Sequence, residues 1–211
     1  NAYYSTNRNK VVFYRADQET DNKYEYYVTK TKKSKPVKLN LTSDASLTPI
    51  FAPAPLHSGK GLVFRAYQGS GNYDLYLSML KEPLPRQISE EPANPDATVN
   101  LMLSTNRGKG VVYRTDFHTP NVFEFFYHDV KKRVTFPLNF SPAPRTIPSG
   151  MRLDSRDKYF YYPADQEVAG KFELYRTNLK TGEIQKISPE MPDHCSIGPD
   201  LSLAPKDTRM Y

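Results

Sequence analysis

The sequence predicts an all-β fold: a β-propeller of four-stranded antiparallel blades, each about 50 residues long. Three observations predict it. First, one hairpin recurs: VVFYRADQETDNKYEYYVTKT at 11–31, GLVFRAYQGSGNYDLYLSML at 61–80, GVVYRTDFHTPNVFEFFYHDV at 110–130 and KYFYYPADQEVAGKFELYRTNL at 158–179. Second, each period holds four short segments rich in aromatic and β-branched residues. Third, Asn, Gly, Pro and Asp separate these segments, and nothing in the pattern supports a long amphipathic helix.

The elements follow in order. Strand A is NAYYS, PIFAPAPL, NLMLS and SGMRL, and again PDLSL at 199–203. Strand B starts at Val11, Leu62, Val111 and Tyr159, and again at Met210. Strand C is YEYYV, YDLYL, FEFFY and FELYR, alternating in the manner of a half-buried strand. Strand D is PVKLN, PRQIS, TFPLN and IQKIS, closing on Leu39, Ile88, Leu138 and Ile187. One such sheet cannot bury both faces, whereas neighbours stacked around an axis can. The predicted blades are 1–45, 46–96, 97–145 and 146–197, with 198–211 opening a further blade. Closure at four blades is allowed. The fifth strand A favours a larger propeller of which this region is part.

Composition sets further bounds. The chain has 211 residues, a net charge of +6, a single cysteine (Cys195) and 18 prolines. No internal disulfide can form, so the fold stands on its core. No apolar run reaches the roughly 18 residues of a membrane span. Catalytic motifs are missing from the sequence: no G-x-S-x-G elbow, no P-loop and no H-E-x-x-H. His57, His118, His128 and His194 fall at unrelated repeat positions. His194–Cys195, after Asp193, lacks a second cluster at zinc spacing. Asp17, Glu19 and Asp21 alternate like the start of an EF-hand loop, but Asn22 and Val28 stand where Gly and Glu are needed. No metal or cofactor is expected. GSG at 69–71 reads as a B–C turn. Asn40 and Asn139 begin Asn-x-Ser/Thr sequons, which matter only in a eukaryotic secretory route.

One recurring pair is expected to be structural. Arg15, Arg65 and Arg114 end strand B, and Glu25, Asp74 and Glu124 lie in the facing strand C. A cross-strand ion pair would fit, although Pro163 replaces the arginine opposite Glu173.

The charge pattern is more informative. In a propeller the A–B and C–D turns open on one face and the B–C and D–A loops on the other. The A–B turns carry Arg8, Lys10, Lys60, Arg107, Lys109, Arg156, Lys158, Lys206 and Arg209. The C–D turns carry Lys30, Lys32, Lys33, Lys35, Lys81, Lys131, Lys132, Arg133 and Lys180. Against them stand Glu82, Asp129, Asp157, Glu183 and Asp207. The opposite loops carry Asp17, Glu19, Asp21, Asp44, Glu90, Glu91, Asp96, Asp116, Asp165, Glu167, Glu190, Asp193 and Asp200. Against those stand Lys23, Arg145 and Lys171. One face is therefore expected to be basic and the other acidic, a distribution that steers and orients partners. The strongest basic-face candidates are Lys30, Lys32, Lys33, Lys35, Arg107, Lys109, Lys131, Lys132 and Arg133. The acidic-face candidates are Asp17, Glu19, Asp21, Glu90, Glu91, Asp165 and Glu167.

The repeats resemble the TolB-like β-propeller family, part of the wider WD-repeat-like class. The resemblance rests on the A–B turn with strand B (STNRNKVVFYRADQ, HSGKGLVFRAYQ, STNRGKGVVYRTD, DSRDKYFYYPADQ), on strand C (YDLYL, FELYR) and on the endings VKLN and QKIS. The family's Ser-Pro-Asp-Gly turn is never intact, the nearest being APKD at 204–207, and there is no Trp-Asp pair. The resemblance covers the whole chain. It implies a propeller, a non-enzymatic protein-binding scaffold and an extracytoplasmic (periplasmic) location in a bacterial envelope assembly. The alternative is a gating propeller of a prolyl-oligopeptidase-type serine hydrolase, whose Ser-His-Asp domain would lie outside residues 1–211. Nucleic acid is disfavoured, because the tyrosines occupy strand positions that the core needs.

Overall fold

Tyr, Phe, Val and Thr crowd the repeated segments, and such side chains pack best on a pleated, half-buried surface. The computed structural model describes residues 3–6, 11–30, 35–39, 47–68, 73–91, 93–94, 96–139, 150–192, 194–198 and 201–203. Among them sixteen strands form four antiparallel sheets, each with its strands in chain order. Blade 1 comprises β1 (Tyr3–Thr6), β2 (Val11–Ala16), β3 (Glu25–Lys30) and β4 (Val37–Lys38). Blade 2 comprises β5 (Leu47–Pro55), β6 (Gly61–Gln68), β7 (Tyr73–Met79) and β8 (Glu82–Gln87). Blade 3 comprises β9 (Leu101–Ser104), β10 (Gly110–Thr119), β11 (Val122–Asp129) and β12 (Val134–Pro137). Blade 4 comprises β13 (Arg152–Leu153), β14 (Tyr159–Ala164), β15 (Glu173–Asn178) and β16 (Ile184–Lys186). These are the expected A, B, C and D strands of a β-propeller.

The outer strands are shorter or less regular than their sequences suggest. β13 keeps two residues and β4 two, while β5 changes register between Ile50 and Ala54. Pro53 lies within the β5 register change. Pro49, Pro53, Pro55, Pro83, Pro85 and Pro137 lie on A or D strands, the sheet edges, where a missing N–H on the open side costs no ladder bond, and Pro163 stands on the central strand β14. Just past each D strand, Leu39, Ile88, Leu138 and Ile187 donate their N–H back to strand C at 2.7–2.8 Å.

A stacked aromatic pair sits across the B–C ladder of every blade. Tyr14 lies opposite Tyr27, Phe64 opposite Tyr76, Tyr113 opposite Phe126 and Tyr162 opposite Tyr175. Their rings lie 19–22° from parallel, with centroids 5.5–6.0 Å apart. Each pair adds about 0.5–1.5 kcal/mol beyond the area it buries.

Among the described residues three cores lie between blades. Phe13, Tyr26 and Leu39 pack on Leu62, Phe64 and Tyr76. Leu75, Leu77 and Ile88 pack on Val111, Tyr113 and Phe126. Phe125, Tyr127 and Leu138 pack on Phe160, Tyr162 and Tyr175. A hydroxyl stitches the same seams. The Ser78 hydroxyl, on strand C of blade 2, donates to the Leu39 carbonyl at the end of blade 1. Thr177 does the same for the Leu138 carbonyl between blades 3 and 4. At the middle seam the matching position holds His128. There Thr135 supplies the hydroxyl, donating to the Ile88 carbonyl at 3.3 Å, while His128 Nδ1 lies 2.9 Å from Thr135 Oγ1.

Candidate partner-binding faces

The A–B turns owe their shape to one left-handed residue each: Gly59, Gly108 and Asp157, with φ of 67°, 61° and 55°. Gly108 has a second reason to lack a side chain, since a Cβ there would meet the Ser58 backbone nitrogen at 2.5 Å. Thr105 Oγ1 accepts from the N–H of Lys109 and Gly110, and Asp154 Oδ1 from those of Lys158 and Tyr159. These capped turns hold Arg107, Lys109, Arg156 and Lys158 out into solvent. The turns also touch one another: the Asp157 carboxylate accepts from the N–H of Asn106 and Arg107, both at 2.7 Å.

The C–D turns repeat the device. Asp129 Oδ1 accepts from the N–H of Lys131 and Lys132, as Asn178 Oδ1 does from Lys180. The turn then closes through a left-handed residue, Gly182 in blade 4 but Arg133 in blade 3, with φ of 74° and 60°. Arg133 reaches across to blade 2, where its Nη2 lies 2.9 Å from Glu82 Oε2. Arg86 of blade 2 reaches the other way, donating to the Val130 carbonyl at 3.3 Å. The turns of blades 2, 3 and 4 thus share one surface, on which Lys81, Arg107, Lys109, Lys131, Lys132 and Arg133 are exposed. Lys30 and Lys35, at the C–D turn of blade 1, are exposed as well. Lys32 and Lys33 lie outside the described residues, as do Arg8, Lys10, Lys206 and Arg209.

Between the C–D turns of blades 2 and 3 the surface sinks into a cleft of about 420 Å³. Its lining carries the cations Lys60, Lys81, Arg86, Lys131 and Arg133 and a single acid, Glu82. The rest of the lining is apolar: Met79, Leu80 and Val130. Arg86 Nε is buried with no hydrogen-bond partner among the described residues.

The opposite face is less uniformly acidic than its loops suggest. Asp21, Glu90, Glu91, Asp96 and Glu190 are exposed, and Asp17 is half-buried. Asp165, expected as a contact residue, is buried and accepts from Gly170 N–H, so it shapes its own loop. Asp116 likewise accepts from the N–H of Thr98 and Asn121. Glu19 and Glu167 are exposed but each holds a lysine: Lys38 Nζ lies 2.8 Å from Glu19, and Lys186 Nζ 2.7 Å from Glu167. Asp44, Asp193, Asp200 and Arg145 lie outside the described residues, as does GSG at 69–71.

Those lysines correct the expected Arg–acid pairs. Glu25 faces Ala16, Asp74 faces Ala66 and Glu124 faces Thr115, so each arginine is one residue out of register and points to the other side. Arg15 and Arg114 stack instead on Tyr24 and Phe123, at 4.3 and 4.6 Å, and Arg65 donates to the Val99 carbonyl. The buried acids find partners elsewhere. Lys38 Nζ lies 2.6 Å from Glu25 and Lys186 Nζ 3.3 Å from Glu173. The Tyr27 and Tyr175 hydroxyls donate to the same two carboxylates. Blades 1 and 4 therefore share a triad, Glu19–Glu25–Lys38 and Glu167–Glu173–Lys186, at identical spacing. Burial opposes the charge on Lys38, but its two carboxylates outweigh that and hold its pKa above the ordinary lysine value. Blade 2 has Asp74 with the Ser89 hydroxyl, and burial raises its pKa. Blade 3 has Glu124 with His118 Nδ1 at 2.7 Å. The spacing was visible in the sequence, but only the register shows which partner the acid meets.

Among the described residues no group of three or more His, Cys, Asp and Glu side chains could hold a metal ion. No described helix is long and apolar enough to cross a membrane.

Comparison with known proteins agrees with this architecture. No family model matches the chain, and no curated protein does. Solved structures do. TolB from Acinetobacter baumannii superposes with a TM-score of 0.52 at 16% identity, over 100% of this chain and 47% of that one. A protein described as TolB from Agrobacterium tumefaciens gives 0.52 at 13% identity, over 90% of this chain and 61% of that one. A prolyl endopeptidase gives 0.59 at 13% identity, over 98% of this chain and 30% of that one. The chain thus spans about half the length of the TolB structures it matches, and its fold is that of the TolB-like β-propellers.

Proposed function

We propose that the chain is a non-enzymatic protein-binding scaffold that docks partners on its charged faces. The observation that carries this reading is the shared basic surface. The A–B and C–D turns present exposed Lys and Arg from all four blades, those of blades 3 and 4 positioned by capped turns. Turns are charged because they are wet, but that alone does not sort the signs by face. Such a field raises encounter rates and orients a partner. The likeness to TolB supports the scaffold reading at the level of fold. The same resemblance supports an extracytoplasmic site of action in a bacterial envelope assembly.

The test uses a tagged copy as bait in an extract of the cells that make it. Lys30, Lys32, Lys33 and Lys35 are all changed to Glu in a second bait. A partner held by the first bait and lost by the folded second one supports the basic face. Equal recovery by both overturns it.

A second reading has one observation in its favour. The prolyl endopeptidase superposes at least as well as TolB does. In that reading these blades gate a serine hydrolase. An active-site serine probe applied to the full natural polypeptide separates the two: labelling supports the gate, and its absence supports the scaffold.

A further inference from the structure

We propose that the cleft between the C–D turns of blades 2 and 3 binds an acidic, leucine-like segment of a protein partner, with Glu82 occupying the place of the partner's carboxylate until it arrives. This rests on the basic-face reading above and narrows it to one site.

Three observations converge. The first is chemical complementarity: five cations line about 420 Å³ together with Met79, Leu80 and Val130. Carboxylates suit the cations and an apolar side chain suits the three apolar residues. A small inorganic anion would use only the cations.

The second is backbone strain. Arg133 adopts φ of 60°, the conformation that the equivalent turn of blade 4 gives to Gly182. A non-glycine residue there is disfavoured, and strain of this kind gathers where a side chain is needed. The Arg133 side chain is what the strain retains, and it crosses the cleft to Glu82. Both ends of that bridge are 59% exposed, so it is weak and exchangeable.

The third is the unmet demand of Arg86. Its Nη2 bond to the Val130 carbonyl is long, at 3.3 Å, and its buried Nε has no hydrogen-bond partner among the described residues. An incoming carboxylate would add a charge-assisted bond at the edge of the guanidinium that lines the cleft.

The test is fluorescence anisotropy with a labelled peptide of alternating glutamate and leucine. A glutamine–leucine peptide of the same length and inorganic phosphate serve as comparators. The expected result is that the acidic peptide binds, that Lys81→Glu with Lys131→Glu weakens it about tenfold or more, and that Glu82→Gln tightens it several-fold by removing the internal competitor. Arg133→Gly keeps the turn, because glycine is at home there, and loses affinity. Arg156→Glu with Lys180→Glu, on blade 4 and away from the cleft, weakens binding far less than the Lys81→Glu with Lys131→Glu pair. Thermal midpoints confirm that each variant is folded.

Equal weakening by the blade 2–3 and blade 4 reversals would overturn the cleft while leaving the basic face intact. So would phosphate competing while the two peptides bind alike. No binding by any peptide, even at low salt, would overturn both.

Discussion

Single residues carry more specific roles than their types suggest. Lys38 is the clearest. It looks like one more surface lysine, yet it meets Glu25 at 2.6 Å beneath the blade surface. Lys38→Met would leave that carboxylate buried, with the Tyr27 hydroxyl as its remaining partner among the described residues. We expect a loss on the order of 2 kcal/mol, below the full cost of breaking a buried pair because Lys38 keeps some contact with water. Chemical denaturation of the variant measures it. His128 is the other. Burial, aided by the nearby Arg86 charge and opposed by Asp129, lowers its pKa from 6.5 to about 4. The folded chain then binds fewer protons here than the unfolded chain between those values. This contribution is full above pH about 6.5 and is lost as pH falls toward 4, on the order of 1–2 kcal/mol. His128→Gln, compared by thermal midpoints from neutral to acid pH, should show a shallower fall than the native chain. An equal fall would remove His128 from the account.

At the scale of the element, the blade is a reliable unit and the seam is where chemistry varies. Strands B and C are central and tied by the aromatic pair, whereas A and D are edges that carry all the strand prolines but Pro163. The hydroxyl from strand C to the preceding blade's last carbonyl ties one unit to the next. Thr177→Val keeps shape and volume but removes that donor. The Leu138 carbonyl lies in a buried seam, so we expect a cost of about 1–3 kcal/mol, read from the shift in denaturation midpoint. The periodicity, the strand types and the closing Leu or Ile were legible because each depends on local pattern. The Arg–acid pairing was not legible, because a one-residue register step turns a side chain to the opposite face, and spacing alone does not set register.

For the whole molecule, the proposed basic face makes a prediction about rate. A partner guided to the basic face should associate more slowly as salt rises, with its dissociation rate changing less. Stopped-flow mixing with an acidic partner at several ionic strengths measures this, and a salt-independent association rate would count against steering.

The sequence by itself determined the all-β class, the four-stranded blade, its period and the sign of charge in each turn, since these follow from composition and local spacing. Only the tertiary structure decided which charges remain available. Asp165 turned inward, and Glu19 and Glu167 took up lysines from strand D. Arg133, Arg86 and Glu82 became neighbours although Arg133 and Glu82 stand 51 residues apart in the chain. The reason is physical: a turn's charge is a property of its own residues, whereas a pair or a cleft exists only once two blades are packed together.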